Sequence, residues 1–225
     1  MVFLSENQGA ERKRRAGVYI DGFNLYHPVH AYGEPFLKWI DLWRLSDSIC
    51  QRTGDSLTKV AFCTAVPEAG VDLPKHTRHI AFNNAQRAMG VTIFLGHHVT
   101  DPDGKRTEKQ SDINVALALI LDAEDDLIDS AYILSADSDQ AATAIRFRER
   151  FPEKRLYGIA PPTKTVPRKV INEADDHFVL SKLEIETCVM PMYVMGKTGN
   201  PIRRPTEYDP PAGWVHPDNR PRKAR

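Results

Sequence analysis

Val18-Tyr19-Ile20-Asp21-Gly22-Phe23-Asn24 is a short apolar run that stops on a carboxylate. The run Gly17-Val18-Tyr19-Ile20 reads as a buried strand. Asp21 then stands at the C-terminal edge of a sheet, where open parallel α/β sheets bind their ligands. A second run of this kind, Ala131-Tyr132-Ile133-Leu134-Ser135, leads into Asp137 and Asp139. A third acid, Asp112, follows Lys109-Gln110-Ser111 and opens the apolar run 113–121. Carboxylates gathered at one point repel one another unless a cation sits among them. An all-oxygen set of this kind suits a hard divalent ion, Mg²⁺ or Mn²⁺.

The rest of the chain alternates strands with helices. Helical readings fall on 24–32 (shortened by Pro28), 39–52, 74–89 (with Pro74 in its first turn and Gly90 beyond its end), 110–124 and 138–150. Strand readings fall on 59–66, 91–95, 131–134 and 155–160. Residues 96–107 read as a polar loop, and 170–183 as a short helical closing segment. This order predicts an α/β fold, a parallel sheet flanked by helices. Three segments are expected: a disordered basic N-terminus over 1–15, one domain over 16–185, and a proline-rich basic tail over 186–225 that is extended or disordered.

With 225 residues, 41% hydrophobic and 27% charged, the chain has the composition of a soluble globular protein. No apolar run approaches the roughly 20 residues that span a bilayer, so no membrane partner is expected. The apolar part of the N-terminus precedes its basic part and is too short for a secretory signal. Cys50, Cys63 and Cys188 fit reduced thiols and a cytoplasmic location. Net charge is 0, with basic residues concentrated at both ends. Such ends either attract a polyanion or solubilise the chain.

Taken together, the three motifs resemble the NYN domain, the PIN-like nuclease family that includes the LabA and DUF88 proteins. Asp21-Gly22-Phe23-Asn24 matches its D-G-x-N, Lys109-Gln110-Ser111-Asp112 its K-x-x-D, and Ser135-Ala136-Asp137-Ser138-Asp139-Gln140 its S-G-D-S-D-F. The resemblance covers about residues 17–183 and implies a PIN-like Rossmannoid sheet and a metal-dependent ribonuclease. Ala136 replaces the motif's glycine and Gln140 its aromatic; neither change removes a carboxylate.

The resemblance places metal binding and catalysis on Asp21, Asp112, Asp137 and Asp139. Strand-end placement favours Asp21 and Asp137 as direct ligands, with Asp112 and Asp139 binding through water. Asp112 and Asp139 have an alternative as first-turn acids that complement a helix dipole. Asp21, just before a glycine, has no helix to cap directly. Asn24, Ser135 and Ser138 are expected behind the ligands, Asn24 either capping a helix or orienting Asp21 and Ser138 capping the helix it precedes. Lys109 is a candidate phosphate contact and Tyr26 a base-stacking platform. RNA is the expected partner, and a homo-oligomer is compatible with the sequence.

Other groups have plainer readings. His97, His98, Asp101 and Asp103 lie in the polar loop, and His76, Arg78, His79 and Arg87 on a solvated helix face. Asp122, Asp125, Asp126 and Asp129 read as solvated surface, and Asp175 and Asp176 as flanking a buried segment. A non-catalytic RNA-binding module with the same fold is the competing function. A haloacid-dehalogenase-type phosphatase is disfavoured, because Phe23 stands where its second Asp would be.

Overall fold

The computed structural model describes residues 12–100 and 106–221, with side chains for all of these but 97–100 and 106–109. The chain begins with β1 (Arg15–Asp21), α1 (Gly22–Ala31), α2 (Leu42–Gln51), β2 (Ser56–Thr64), α3 (Leu73–Ala88) and β3 (Thr92–Leu95). A hairpin of β4 (His97–Thr100) and β5 (Arg106–Lys109) leads to α4 (Ser111–Glu124). Then come β6 (Ser130–Leu134), α5 (Gln140–Arg150), β7 (Arg155–Ala160), α6 (Arg168–Glu173), β8 (Asp176–Val179) and α7 (Lys182–Thr187). A last hairpin, β9 (Tyr193–Met195) and β10 (Pro201–Arg203), precedes the C-terminal residues.

Six strands form one parallel sheet in the order β3-β2-β1-β6-β7-β8. The chain winds outward from β1 to β3, crosses back to β6, and winds outward again. The winding reverses between β1 and β6, and a crevice opens there at the strands' C-terminal ends. The inner strands are buried on both faces, which explains their continuous apolar runs. In β1, Val18 and Ile20 join the core on one face with Leu42, Leu45 and Ile49 of α2. Tyr19 joins the other with Val115 and Leu119 of α4 and Phe147 of α5.

Several sequence expectations are corrected. The segment 170–183 holds a sixth parallel strand, β8, at the sheet edge, where its exposed residues give no apolar run. Residues 97–100 and 106–109 pair as an antiparallel hairpin instead of a loop. Asp101 and Asp103 lie outside the described residues. Trp39 and Ile40 precede α2, whose start is fixed where Asp41 accepts from Arg44 N at 2.9 Å. The acids at the far end of α4 are not all solvated. Asp122 is buried, accepts from Tyr19 Oη at 2.8 Å and pairs with Lys59. Asp129 is half-buried and grips Arg15 through Nε and Nη2, at 3.0 and 2.7 Å.

The proline-rich C-terminal segment is not loose over its described part. Trp39 Nε1 donates to Pro191 O at 3.0 Å, and Met190 N to Trp39 O at 2.8 Å. Trp39, Met190, Val194 and Tyr208 form a small second core against Phe82 and Ala85 of α3. Farther on, Trp214 packs on Phe36 and its Nε1 donates to Glu186 Oε1 at 2.8 Å. Arg204 pairs with Asp209 and Arg220 with Glu186, so neither charge stands free for a polyanion. At the other end Arg14 pairs with Asp55 and Arg15 with Asp129, while residues 1–11 and 222–225 lie outside the described residues.

Candidate metal centre

Asp21 ends β1 at the reversal of winding, and its carboxylate is almost wholly buried. Contrary to expectation it does cap a helix. Its Oδ1 accepts from Asn24 N at 3.0 Å at the start of α1. Oδ2 accepts from Asn24 Nδ2 at 2.6 Å and from Ser135 Oγ at 3.2 Å. Asn24 also accepts at Oδ1 from Ala136 N, 3.2 Å away. One side chain thus ties the first motif to the third.

Gly22 serves packing. A Cβ there would lie 2.8 Å from Cys63 O and 2.9 Å from both the Phe62 ring and Thr64 Cβ. Only a residue without a side chain lets α1 start so close to β2.

Beyond β6, Ser135 Oγ accepts from Asp137 N at 3.1 Å, and Asp137 Oδ1 accepts from Asp139 N at 3.0 Å. Asp137 therefore closes the turn into α5, in place of the expected Ser138 cap. Ser138 is exposed. Asp139 precedes α5, is exposed, and caps nothing with its side chain. Ala136 is not among the positive-φ residues, so alanine fits where the motif has glycine.

Asp112 lies in the first turn of α4, which begins after Gln110 at φ 82°. The left-handed backbone of this non-glycine residue is the kind of strain that collects at functional sites. Gln140 is buried on α5; its Nε2 donates to Asp112 O at 3.4 Å while its Oε1 accepts from Thr143 Oγ1 at 3.0 Å. The residue replacing the motif's aromatic thus anchors the backbone of a candidate ligand.

Asp21, Asp112 and Asp137 each offer a carboxylate oxygen, and these atoms lie within 4.8 Å of one another. Asp139 does not join them. Burial pushes the Asp21 carboxyl up, while hydrogen bonds from Asn24, Ser135 and Asp112 pull the other way. Among the described residues no ion pair reaches Asp21. A buried carboxylate beside two others, met by neutral donors from Asn24 and Ser135, favours positive charge close by. Three carboxyl oxygens, from a strand end, a helix start and the loop after β6, fit a small hard cation, and no Cys or His belongs to the group.

Next to this cluster a cavity of about 140 Å³ opens between α1, α3 and the C-terminal segment. Gly22 and Phe23, following Asp21, form part of its wall. Tyr26 lines it, with Lys38 Nζ 5.4 Å from its ring centre. Arg78 and His79 of α3 line it also, whereas His76 Nδ1 is engaged with Pro67 O at 2.7 Å and Arg87 with Asn84 at 3.3 Å. Lys38, Asn83 and Tyr208 were not legible as site residues, because they come from three unrelated segments that only the fold brings together. Lys109 ends β5, two residues before α4, and its side chain lies outside the described ones.

The family model of the NYN domain matches residues 15–183. Among solved structures, a protein of unknown function from Vibrio parahaemolyticus is similar, with a TM-score of 0.56 at 18% identity. The match covers 77% of this chain and 96% of that one. At that identity the likeness speaks for the fold. No curated protein matches the chain.

Proposed function

This chain belongs to the NYN domain family, a nuclease-like family, and from that premise we propose that it is a Mg²⁺- or Mn²⁺-dependent endoribonuclease. The observation that carries the proposal is the convergence of Asp21, Asp112 and Asp137 at the crevice between β1 and β6. These three residues would hold the ion. A divalent cation bound there would lower the pKa of a water and offset charge on the phosphate.

The protein's own part is positioning. Asn24 and Ser135 fix both oxygens of Asp21, Asp139 N fixes Asp137, and Gln140 fixes the turn that presents Asp112. Hydrogen bonds of this sort hold ligands in register before metal arrives. Lys109 and Tyr26 are assigned to the substrate, Lys109 to a phosphate and Tyr26 to a base. Asp139, exposed and outside the group of three, is assigned a supporting role at the mouth of the site.

The test is cleavage of labelled RNA by the purified chain with Mn²⁺, with Mg²⁺ and with chelator. Metal-dependent cleavage that vanishes in Asp21→Asn and Asp137→Asn supports the proposal. Cleavage that persists in both variants refutes it. Intact RNA with every metal, alongside salt-sensitive binding, would make the protein a non-catalytic RNA-binding module.

A further inference from the structure

Asn83 sits in the middle of α3 and is 2% exposed, yet its Nδ2 has no hydrogen-bond partner among the described residues. Its side chain borders the cavity beside the carboxylate cluster. A buried amide donor without an acceptor is costly, and native proteins rarely leave one so. The surroundings offer no obvious relief, since the cavity floor is apolar, built from Leu25, Val29, Ile40 and Phe62. The cavity's volume is roughly ten times the minimum for a single water. A flat apolar ligand bearing a hydrogen-bond acceptor would satisfy both floor and donor.

The mouth has a different character. Lys38, Lys75 and Arg78 converge there, with Tyr26 and Tyr208 as aromatic walls. Arg78 pairs with Glu207 at 2.9 Å, while Lys38 and Lys75 make no ion pair among the described residues. Lys38 Nζ lies 5.4 and 5.9 Å from the Tyr26 and Tyr208 ring centres. Burial, then the repulsion of Arg78 and Lys75, holds the Lys38 ammonium below its ordinary value. An anion at the mouth would relieve that crowding.

We propose that this cavity is a nucleobase pocket of the RNA site, with Asn83 Nδ2 donating to an acceptor on the base. Lys38 and Lys75 pair with the adjoining phosphate, and Tyr26 and Tyr208 flank the base. Gly22 lines the pocket and stands one Cα step, ~3.8 Å, from Asp21. A base held there places its neighbouring phosphodiester beside the three carboxylates. The proposal rests on the ribonuclease reading for its substrate, and its test needs no cleavage.

The four nucleoside 5′-monophosphates, inorganic phosphate and short single-stranded RNA are titrated calorimetrically into the full chain in EDTA. The expected result is binding of at least one nucleotide, tighter than inorganic phosphate and unequal across the four bases. Asn83→Leu should weaken that nucleotide about tenfold or more and level the four affinities. Lys38→Met, on a partly exposed side chain, should weaken all four alike, and it serves as the test if Asn83→Leu fails to melt cooperatively. The proposal is overturned by no nucleotide binding beyond inorganic phosphate, or by unchanged affinity and ranking in Asn83→Leu and Lys38→Met. Weakening of the monophosphates without weakening of RNA would mark a free-nucleotide site, which also overturns it. Nucleotide binding without RNA cleavage in Mn²⁺ would instead refute the ribonuclease reading and leave the pocket standing.

Discussion

Asn24 donates from Nδ2 to Asp21 Oδ2 at 2.6 Å while its own Oδ1 accepts from Ala136 N at 3.2 Å. The amide thus locks the carboxylate at the end of β1 to the loop that carries Asp137. Asn24→Ala leaves Asp21 held by the backbone N of residue 24 and by Ser135 but cuts its tie to the Asp137 loop, and it should lower metal affinity or cleavage roughly 10–100-fold. Raising Mn²⁺ should recover much of the rate, because a mispositioned ligand weakens binding first. A rate indifferent to this change would refute the role.

Gln140 should matter through Asp112. Gln140→Leu keeps a buried side chain but removes the donor to Asp112 O, and about a tenfold loss of Mn²⁺ affinity is expected. A Mn²⁺ titration of the folded variant checks it; wild-type affinity would show that α4 needs no such tether.

Gly22 predicts a stability effect. Its added Cβ would meet backbone and ring atoms at under 3 Å, so Gly22→Ala should cost about 1–3 kcal/mol in chemical denaturation. A cost near zero would mean that α1 can shift away from β2 freely.

Much of this fold was legible because inner strands of a parallel sheet are buried on both faces. The runs ending at Ile20 and Leu134 announce themselves, and the aspartates behind them mark the crevice. β8 was not legible, since an edge strand of four residues, most of them exposed, has no apolar signature. The C-terminal segment reads as disorder from its prolines, yet the partners of Trp39, Tyr208 and Trp214 are tertiary and leave no local trace. Within the site, strand-end placement ranked Asp21 and Asp137 above Asp112 and Asp139. Helix geometry separates the latter pair, with Asp112 turned into the group and Asp139 left outside it. Spacing alone cannot separate two acids that both fall near helix starts.

The Arg15–Asp129 pair gives a pH dependence. The Arg15 guanidinium holds the Asp129 carboxyl down at about 2. A depressed folded-state pKa contributes stability above the unfolded value near 4, and that contribution fades as pH falls toward about 2. The Tm gap between wild type and Asp129→Asn should therefore be full at neutral pH and shrink below about pH 4. A gap that grows on acidification would contradict the sign.

The claim on which the rest depends is that Asp21, Asp112 and Asp137 share one ion. Anomalous diffraction from crystals soaked in Mn²⁺ tests it most directly. The expected result is a peak within about 2.0–2.6 Å of an oxygen from each of the three, absent in Asp21→Asn crystals and retained in Asp139→Asn crystals. A peak elsewhere in the chain, or none at saturating Mn²⁺, would contradict the account.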